Sequence, residues 1–439
     1  MKQLRQVWAA ASRQGAQQAA PLRPNRCPRF ASESVAGGIA ACVLGAASVL
    51  AMMLAFVGVG RVEASRRPRY GGVLRVEIGA RVNSLDPSVA AASPEEAAAR
   101  DEIESLLYDH RNADGTFGAV PGTGGAGGAA TAGAFRIAEW EPGAHLTLAA
   151  NEEYSGGRPF VDSVDIQMGR GVKERLLDLE LGKTDFIEIP PEQARYASGQ
   201  GIRVSSSEPD ELVAIVFVAG QAAAEDARLR EALARAIDRG AMVNFILQKE
   251  GEAAGGLLPQ WSSGTAFLFP TAADPSGAKE LAGQIGGSPR IVLGYDASDS
   301  LEESLAERIA VDAREAGIRV APEALQNARV PSNCDARLVR LRMPSPDPRA
   351  ALASFLARLA PEIDGNGPNG KPETESLAEG ASAEQIYDVE RGIVNSYRVV
   401  PIVWLPEVYG LSTRVRDWKA PAAGQGWPLA DVWLEQESQ

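Results

Sequence analysis

The stretch IVLGYDASDSLEESLAERIAVDAREAGIRVA, residues 291–321, decides the fold class. Ile291–Tyr295 is a short apolar run suited to a strand, Ser300–Ala316 repeats apolar residues at helical spacing, and Ile318–Ala321 reads as a second strand. A strand, a helix and a strand in succession join parallel strands and make a β–α–β unit. The alternation continues on both sides. Downstream are a strand at Arg337–Leu341, helices at Arg349–Leu359 and Ala383–Ser396, and a strand at Val399–Leu405. Upstream, LVAIVFV at 212–218 is an almost continuous apolar run, as expected for a strand buried on both faces. Helices are expected at Asp226–Arg239 and Ala241–Gln248.

Nearer the N-terminus, Val73–Ile78 alternates apolar and polar residues, and the turn-forming NSLDP follows at 83–87. Ser93, Pro94, Glu95 and Glu96 carry the signature of a helix start, and the helix is expected to run to Tyr108. Phe135–Trp140 and His145–Ala150, split by Glu141-Pro142-Gly143, predict a hairpin. A strand at Val164–Met168, a helix at Lys173–Leu181 and a strand at Phe186–Ile189 come next. Asp114–Gly133 contains GTGGAGGAATAG and is expected to be a flexible loop.

The chain has 439 residues, 45% hydrophobic and 23% charged, with a net charge of −13. This is a globular balance with room for two or three domains. The charge is uneven. Residues 1–34 hold six basic side chains and one acidic, whereas from Tyr70 onward 34 Lys and Arg face 55 Asp and Glu. A body so acidic repels a phosphate backbone, so nucleic acid is not an expected partner.

Residues 35–60, VAGGIAACVLGAASVLAMMLAFVGVG, hold no charge over 26 positions, more than the ~20 a helix needs to cross a bilayer. The basic segment before them predicts an N-terminus left in the cytoplasm and a body exported to a periplasmic or other extracytoplasmic space. Val62 and Ala64 stand where a signal-peptide cleavage site places its small residues, so a cleaved signal and a retained transmembrane anchor both fit. Of the three cysteines, Cys27, Cys42 and Cys334, only the last lies in the exported body. No internal disulfide is available there, and the fold must rest on its core.

Most motifs with chemical meaning fail in context. Gly122, Gly124 and Gly127 spell a dinucleotide fingerprint, but no strand leads in and no periodic helix leaves. His110 and His145 are the only histidines, and neither sits near a nucleophile motif or among enough ligands for zinc. The Arg- and Asp/Glu-studded stretch 226–239 reads as a solvated helix face. More informative are Arg337, Arg340 and Arg342, on a strand where Arg337 and Arg342 differ in parity; a guanidinium there can clamp a carboxylate. Trp261 follows LLP at 257–259 in a loop of the kind that lines a groove. No cofactor, metal or catalytic constellation is expected.

In order along the chain, several blocks resemble the family-5 extracellular solute-binding proteins, the peptide- and nickel-binding components of ABC importers. They are YGGVLRV (70–76) with NSLDP (83–87), GAFRIAEWEPG (133–143), NEEYSGGRPFVD (151–162), RLREALARAIDR (228–239) and Val399–Trp418. The resemblance implies an α/β, two-lobed, periplasmic-binding-protein-like body of class II behind the N-terminal transmembrane or signal helix. It implies a first lobe of 70–218 completed by 397–435, a second lobe of 219–396, a linker at 61–69, and hinged closure on a solute. The implied work is non-catalytic binding of a solute, expected to be a peptide, by a monomer that meets ABC permease subunits. Asn83, Ser84, Phe217, Trp261, Arg337, Arg340 and Arg342 are the expected ligand-binding residues.

The chain departs from the family in three places. Only about twenty residues (114–133) stand where members usually carry a further subdomain. Phe217-Val218-Ala219 replaces Phe-Asn-Thr. Arg342-Met343-Pro344 occupies the neighbourhood where peptide binders often hold an Asp. These departures motivate an alternative, a degenerate homologue acting as envelope scaffold or sensor. An exported hydrolase is the least supported reading.

Overall fold

The computed structural model describes residues 67–86, 88–108, 133–263, 269–285, 287, 289–326, 334–363, 377 and 380–435. The apolar segment 35–60 and the glycine-rich stretch lie outside them. Among the described residues no helix is long and apolar enough to cross a membrane. Pro68 onward forms one compact unit.

Two mixed sheets organise that unit. The first runs β2 (Phe135–Glu141), β3 (His145–Ala150), β4 (Ser163–Gln167), β1 (Val73–Glu77), β5 (Phe186–Ile189), β13 (Val408–Leu411) and β6 (Arg203–Ser206). The second runs β10 (Arg319–Leu325), β9 (Arg290–Asp296), β11 (Ala336–Arg342), β7 (Glu211–Phe217), β12 (Val399–Leu405) and β8 (Glu252–Ala253). Residues 291–321 do form the β–α–β unit: β9 and β10 pair in parallel, with Ile291 opposite Val320, and the helix Ser300–Glu315 crosses between them. Asp299 caps that helix, accepting from the N–H groups of Leu301 and Glu302 at 2.8 and 3.1 Å.

The apolar run of β7 has a direct explanation. Its odd-numbered residues Val213, Ile215 and Phe217 enter one core, against helices that include Ala227–Ala236 and Ser300–Glu315. Its even-numbered residues Leu212, Ala214 and Val216 enter another, with Leu352, Phe355 and Trp404. A strand covered on both faces has no polar face to show in its sequence. The first sheet closes over a third core, in which Phe186 meets Trp418 and Trp427 with ring centroids 4.7 and 5.2 Å away. Burying such side chains contributes about 1.5–3 kcal/mol each, so the aromatic tail helps hold β5 and β13 in the first sheet.

β7 and β12 belong to the second sheet, so the chain changes sheets at Ser207–Asp210 and again at Pro406–Glu407. These two crossings run side by side and are tied together. Ser207 N donates to Glu407 O (2.9 Å), Asp210 N to Leu405 O (3.0 Å), and Glu407 N to Ser207 Oγ (2.9 Å).

One difference from the expected elements is local. In place of a regular helix over 241–248, a single α turn at Arg239–Ala241 leads into a π turn at Met242–Ile246. The wider turn brings both Met242 and Leu247 into the core, linked by Leu247 N to Met242 O at 3.0 Å.

Candidate functional site

β1, β4 and β5 run parallel, and the segments that leave their carboxyl ends open onto one cavity of about 670 Å³. Gly79, Ala80 and Arg81 follow β1, Gly169 follows β4, and Pro190 to Glu192 follow β5. The second sheet supplies the opposite wall: Ser298–Leu301 after β9, Arg340 and Arg342 at the end of β11, and Glu211 at the start of antiparallel β7. Carboxyl ends of parallel strands are where open α/β sheets place their ligands. The helix Pro94–Leu107 and the crossing at Pro406–Glu407 complete the walls.

The lining is strongly acidic. Eight carboxylates (Glu95, Glu96, Glu102, Glu188, Glu192, Glu211, Asp299 and Glu407) face four arginines (Arg81, Arg175, Arg340 and Arg342). On β11, Ala336 and Leu338 enter the core, and the next residues of the same parity, Arg340 and Arg342, emerge into the cavity.

Arg340 is neutralised within its own sheet. It donates to Asp299 Oδ2 at 2.7 Å through Nη1, and to Glu211 Oε2 through Nε (3.0 Å) and Nη2. Burial pushes the Glu211 carboxyl up, but Arg340 and Arg342 outweigh it and hold it below the ordinary range. Arg342 instead reaches across to the other side of the cavity. It pairs with Glu407 on the crossing, and its Nη1 lies 4.0 Å from Glu102 Oε1 on the helix Pro94–Leu107.

That helix is placed by the loop before it. Ser93 Oγ accepts from Glu96 N at 3.1 Å, and the Glu96 carboxylate accepts from Asn83 N (2.9 Å), Asn83 Nδ2 (3.1 Å) and Ala92 N (2.7 Å). Burial raises the Glu96 carboxyl, yet these hydrogen bonds hold it below its usual value. One turn and a half further on, Glu102 is 7% exposed, and its Oε2 accepts from Trp427 N at 3.0 Å. Burial, then the neighbouring Glu407, pushes the Glu102 carboxyl well above the ordinary range. The same two causes, in the same order, raise Asp210. Burial also raises Glu188 and Glu192.

Arg175, 5% exposed, comes from the helix Val172–Glu180 and donates from Nη1 to Glu188 O at 2.6 Å, while its buried Nε has no partner. It fits because residue 79 is glycine: a Cβ there would stand 3.1 Å from Arg175 Nη2. Arg81 donates to Gly143 O at 3.2 Å.

Of the residues expected to bind ligand, Asn83, Arg340 and Arg342 line the cavity. The others do not. Ser84 turns back to accept from Asp86 N at 3.1 Å. Phe217 is fully buried in the second sheet's core. Trp261 donates from Nε1 to Pro209 O at 2.8 Å, bracing the first crossing from outside. Arg337, of opposite parity to Arg342, pairs with Glu362 on the helix Pro348–Ile363 and lines a smaller side cavity of about 110 Å³. Sequence reading missed Glu102, Arg175, Glu188, Glu211, Asp299 and Glu407. The shared parity of Arg340 and Arg342 was a usable signal for part of the wall.

Two sheets joined by paired crossings, with a cavity at their strand ends, define the class of periplasmic binding proteins. A family model, described as bacterial extracellular solute-binding proteins, family 5 (middle), matches residues 112–360, and the chain belongs to that family. A curated relative, the oligopeptide-binding protein AppA of Bacillus subtilis, is 27% identical over 125 residues, which are 28% of this chain and 23% of that one. The chain therefore matches less than a quarter of that relative's length.

Among solved structures, the ABC transporter-associated periplasmic binding protein DppA of Helicobacter pylori, in complex with the peptide STSA, superposes with a TM-score of 0.64 at 14% identity. The match covers 85% of this chain and 100% of that one. NikA of Staphylococcus aureus, in complex with Ni(L-His)2, gives 0.60 at 14% identity over 83% and 100%. At these identities the likeness is one of fold.

Proposed function

We propose that the chain is the extracytoplasmic solute-binding component of an ABC-type importer, that its solute is a peptide, and that it carries out no catalysis. The observation that carries this reading is the cavity of about 670 Å³ between the two sheets, with the chain passing from one sheet to the other, among the described residues, at Ser207–Asp210 and Pro406–Glu407. Two short adjacent segments are what a hinge requires: a few residues absorb the rotation while each sheet moves with its own core. A solute drives closure only to the extent that it binds the closed form better than the open one.

In this reading the two sheets are the cores of the two lobes, Asn83, Arg340 and Arg342 are contact residues, and the partner is a permease. The test is a thermal-shift screen of the full chain against a library of di- to pentapeptides and nickel–histidine. A peptide binding the native state at about 100 times its Kd adds about 2.7 kcal/mol of stability, a plain rise in melting temperature. A flat response across the library at millimolar concentration would remove the transport role.

One observation favours a second reading. Arg342 is already occupied by Glu407 of the chain itself. A homologue whose cleft is held by its own ion pair would serve as an envelope scaffold or sensor, and a flat screen with an intact fold is the outcome it expects.

A further inference from the structure

Resting on the solute-binding reading, we infer that the cleft selects a solute carrying an organic cation, an ammonium or guanidinium group, and that this group sits on Glu102, Glu188 and Glu407 where Arg342 now reaches across. Four features converge on this place. The cavity lining holds twice as many carboxylates as guanidiniums. Arg340 takes no part in the balance at this end, being paired with Glu211 and Asp299. Glu102 is more than nine-tenths buried and lines the cavity; its Oε2 is taken by Trp427 N, and the cation facing its Oε1 is Arg342 Nη1, at 4.0 Å. Two guanidiniums meet these three carboxylates: Arg342 pairs with Glu407, and Arg175 Nη1 stands 3.9 Å from Glu188 Oε2.

A buried carboxylate without a close cation is costly, and a desolvated cation placed beside it recovers much of that cost. The crowding is visible in how these groups behave: burial and mutual repulsion raise Glu102 and Glu188 together. An anionic solute would meet the opposite balance. Among the described residues no three His, Cys, Asp or Glu side chains are arranged to hold a metal ion, which favours an organic cation over a bare one. Arg342 thus acts as an internal occupant of the cation seat. A solute cation exchanges with it, and the freed guanidinium turns to the solute's acceptors.

The experiment is calorimetric titration of the full chain with three probes, tri-L-lysine, tri-L-alanine and tri-L-glutamate, each N-acetylated and C-amidated so that only the side chains carry charge. Tri-lysine should bind at least about tenfold more tightly than tri-alanine, tri-glutamate should give no heat of binding, and added salt should erode the preference. Glu188→Gln should cut the preference for tri-lysine over tri-alanine about tenfold, whereas Arg342→Met should raise that preference. Opposite shifts from two neighbouring variants are not what a merely structural role produces. Glu102→Gln repeats the first test, with Glu188→Gln preferred because Glu102 also holds Trp427 N.

If tri-alanine and tri-glutamate bind as well as tri-lysine, the cation seat is wrong while solute binding stands. If no probe binds and the peptide screen is also flat, the solute-binding reading itself fails.

Discussion

Arg340 and Arg342 stand two residues apart on one strand, face the same cavity, and are used differently. Arg340 is held by Glu211 at the start of β7 and Asp299 in the loop after β9, both on its own side of the cavity, and its neighbourhood is complete without a ligand. Arg342 takes its partners from the other wall, Glu407 on the crossing and Glu102 on a helix of the first sheet's side. The first arrangement is architecture: it fixes the loop after β9 and the start of β7. The second changes whenever the walls move apart. In a two-sheet binding protein, an ion pair says something about function only when its partners belong to different halves.

The largest effect expected from this contrast is on stability. Removing Arg340 strands two carboxylates whose side chains are 14% and 9% exposed. Arg340→Met should therefore cost about 3–5 kcal/mol, read by urea denaturation. Arg342→Met should cost less, about 1–3 kcal/mol, because Glu102 and Asp210 are already displaced toward their neutral forms and protonation absorbs part of the loss. Equal losses in the two variants would show that the proposed difference between the two ends is not real.

The next effect depends on pH. Glu302, 5% exposed, lies in the side cavity against Arg340, and burial raises its carboxyl to about 7 despite the hydrogen bond from Asp296 N at 2.8 Å. A carboxyl raised on folding favours the folded state while it stays protonated. Its contribution is complete below the unfolded value of 4.5 and is lost as pH climbs to about 7. Wild-type stability should therefore fall by about 2–3 kcal/mol from this group between about pH 5 and pH 8. Glu302→Gln should lack that component and become the more stable protein at the alkaline end. Denaturation curves at the two pH values decide it, and parallel behaviour of the two proteins would overturn the assignment.

The difference between the two arginines also marks what the amino-acid order reveals. β9, the helix Ser300–Glu315 and β10 were legible because each has a periodic pattern that its environment rewards, and β7 because two cores claim alternate residues. β6 and β13, four residues each, and the helix Pro275–Ile285 were not legible: such segments gain their identity from neighbours far along the chain. The same holds for the site. Arg340 and Arg342 announced themselves as a local cluster, whereas Glu102, Glu188 and Glu407 come from a helix, a strand and a crossing spread over about 300 residues of chain. Phe217 was misjudged as a wall residue because a strand buried on both faces shows no polarity contrast at its end. Where the chain changes sheets was hidden for a similar reason: Ser207–Asp210 and Pro406–Glu407 are short links tied to each other by three hydrogen bonds that join residues about 200 positions apart.

The smallest effect separates scaffold from charge through two helix caps of like chemistry. Ser382 caps the helix Ala383–Ser396 in a reciprocal pair, accepting from Gln385 N at 3.3 Å while Gln385 Oε1 accepts from Ser382 N at 2.8 Å. Ser93 caps the helix Pro94–Leu107 alone, because the residue three places on, Glu96, turns its carboxylate to Asn83 and Ala92 instead. Replacing either serine by alanine should cost about 0.5–1.5 kcal/mol in urea denaturation. Only Ser93→Ala should also weaken tri-lysine binding, because the freed first turn carries Glu96 and the Asn83 loop at the cavity mouth and sets where Glu102 lies further along the same helix. A Ser93→Ala protein that loses stability but binds tri-lysine unchanged would place the cation seat away from that helix, and with it the division between Arg340 and Arg342.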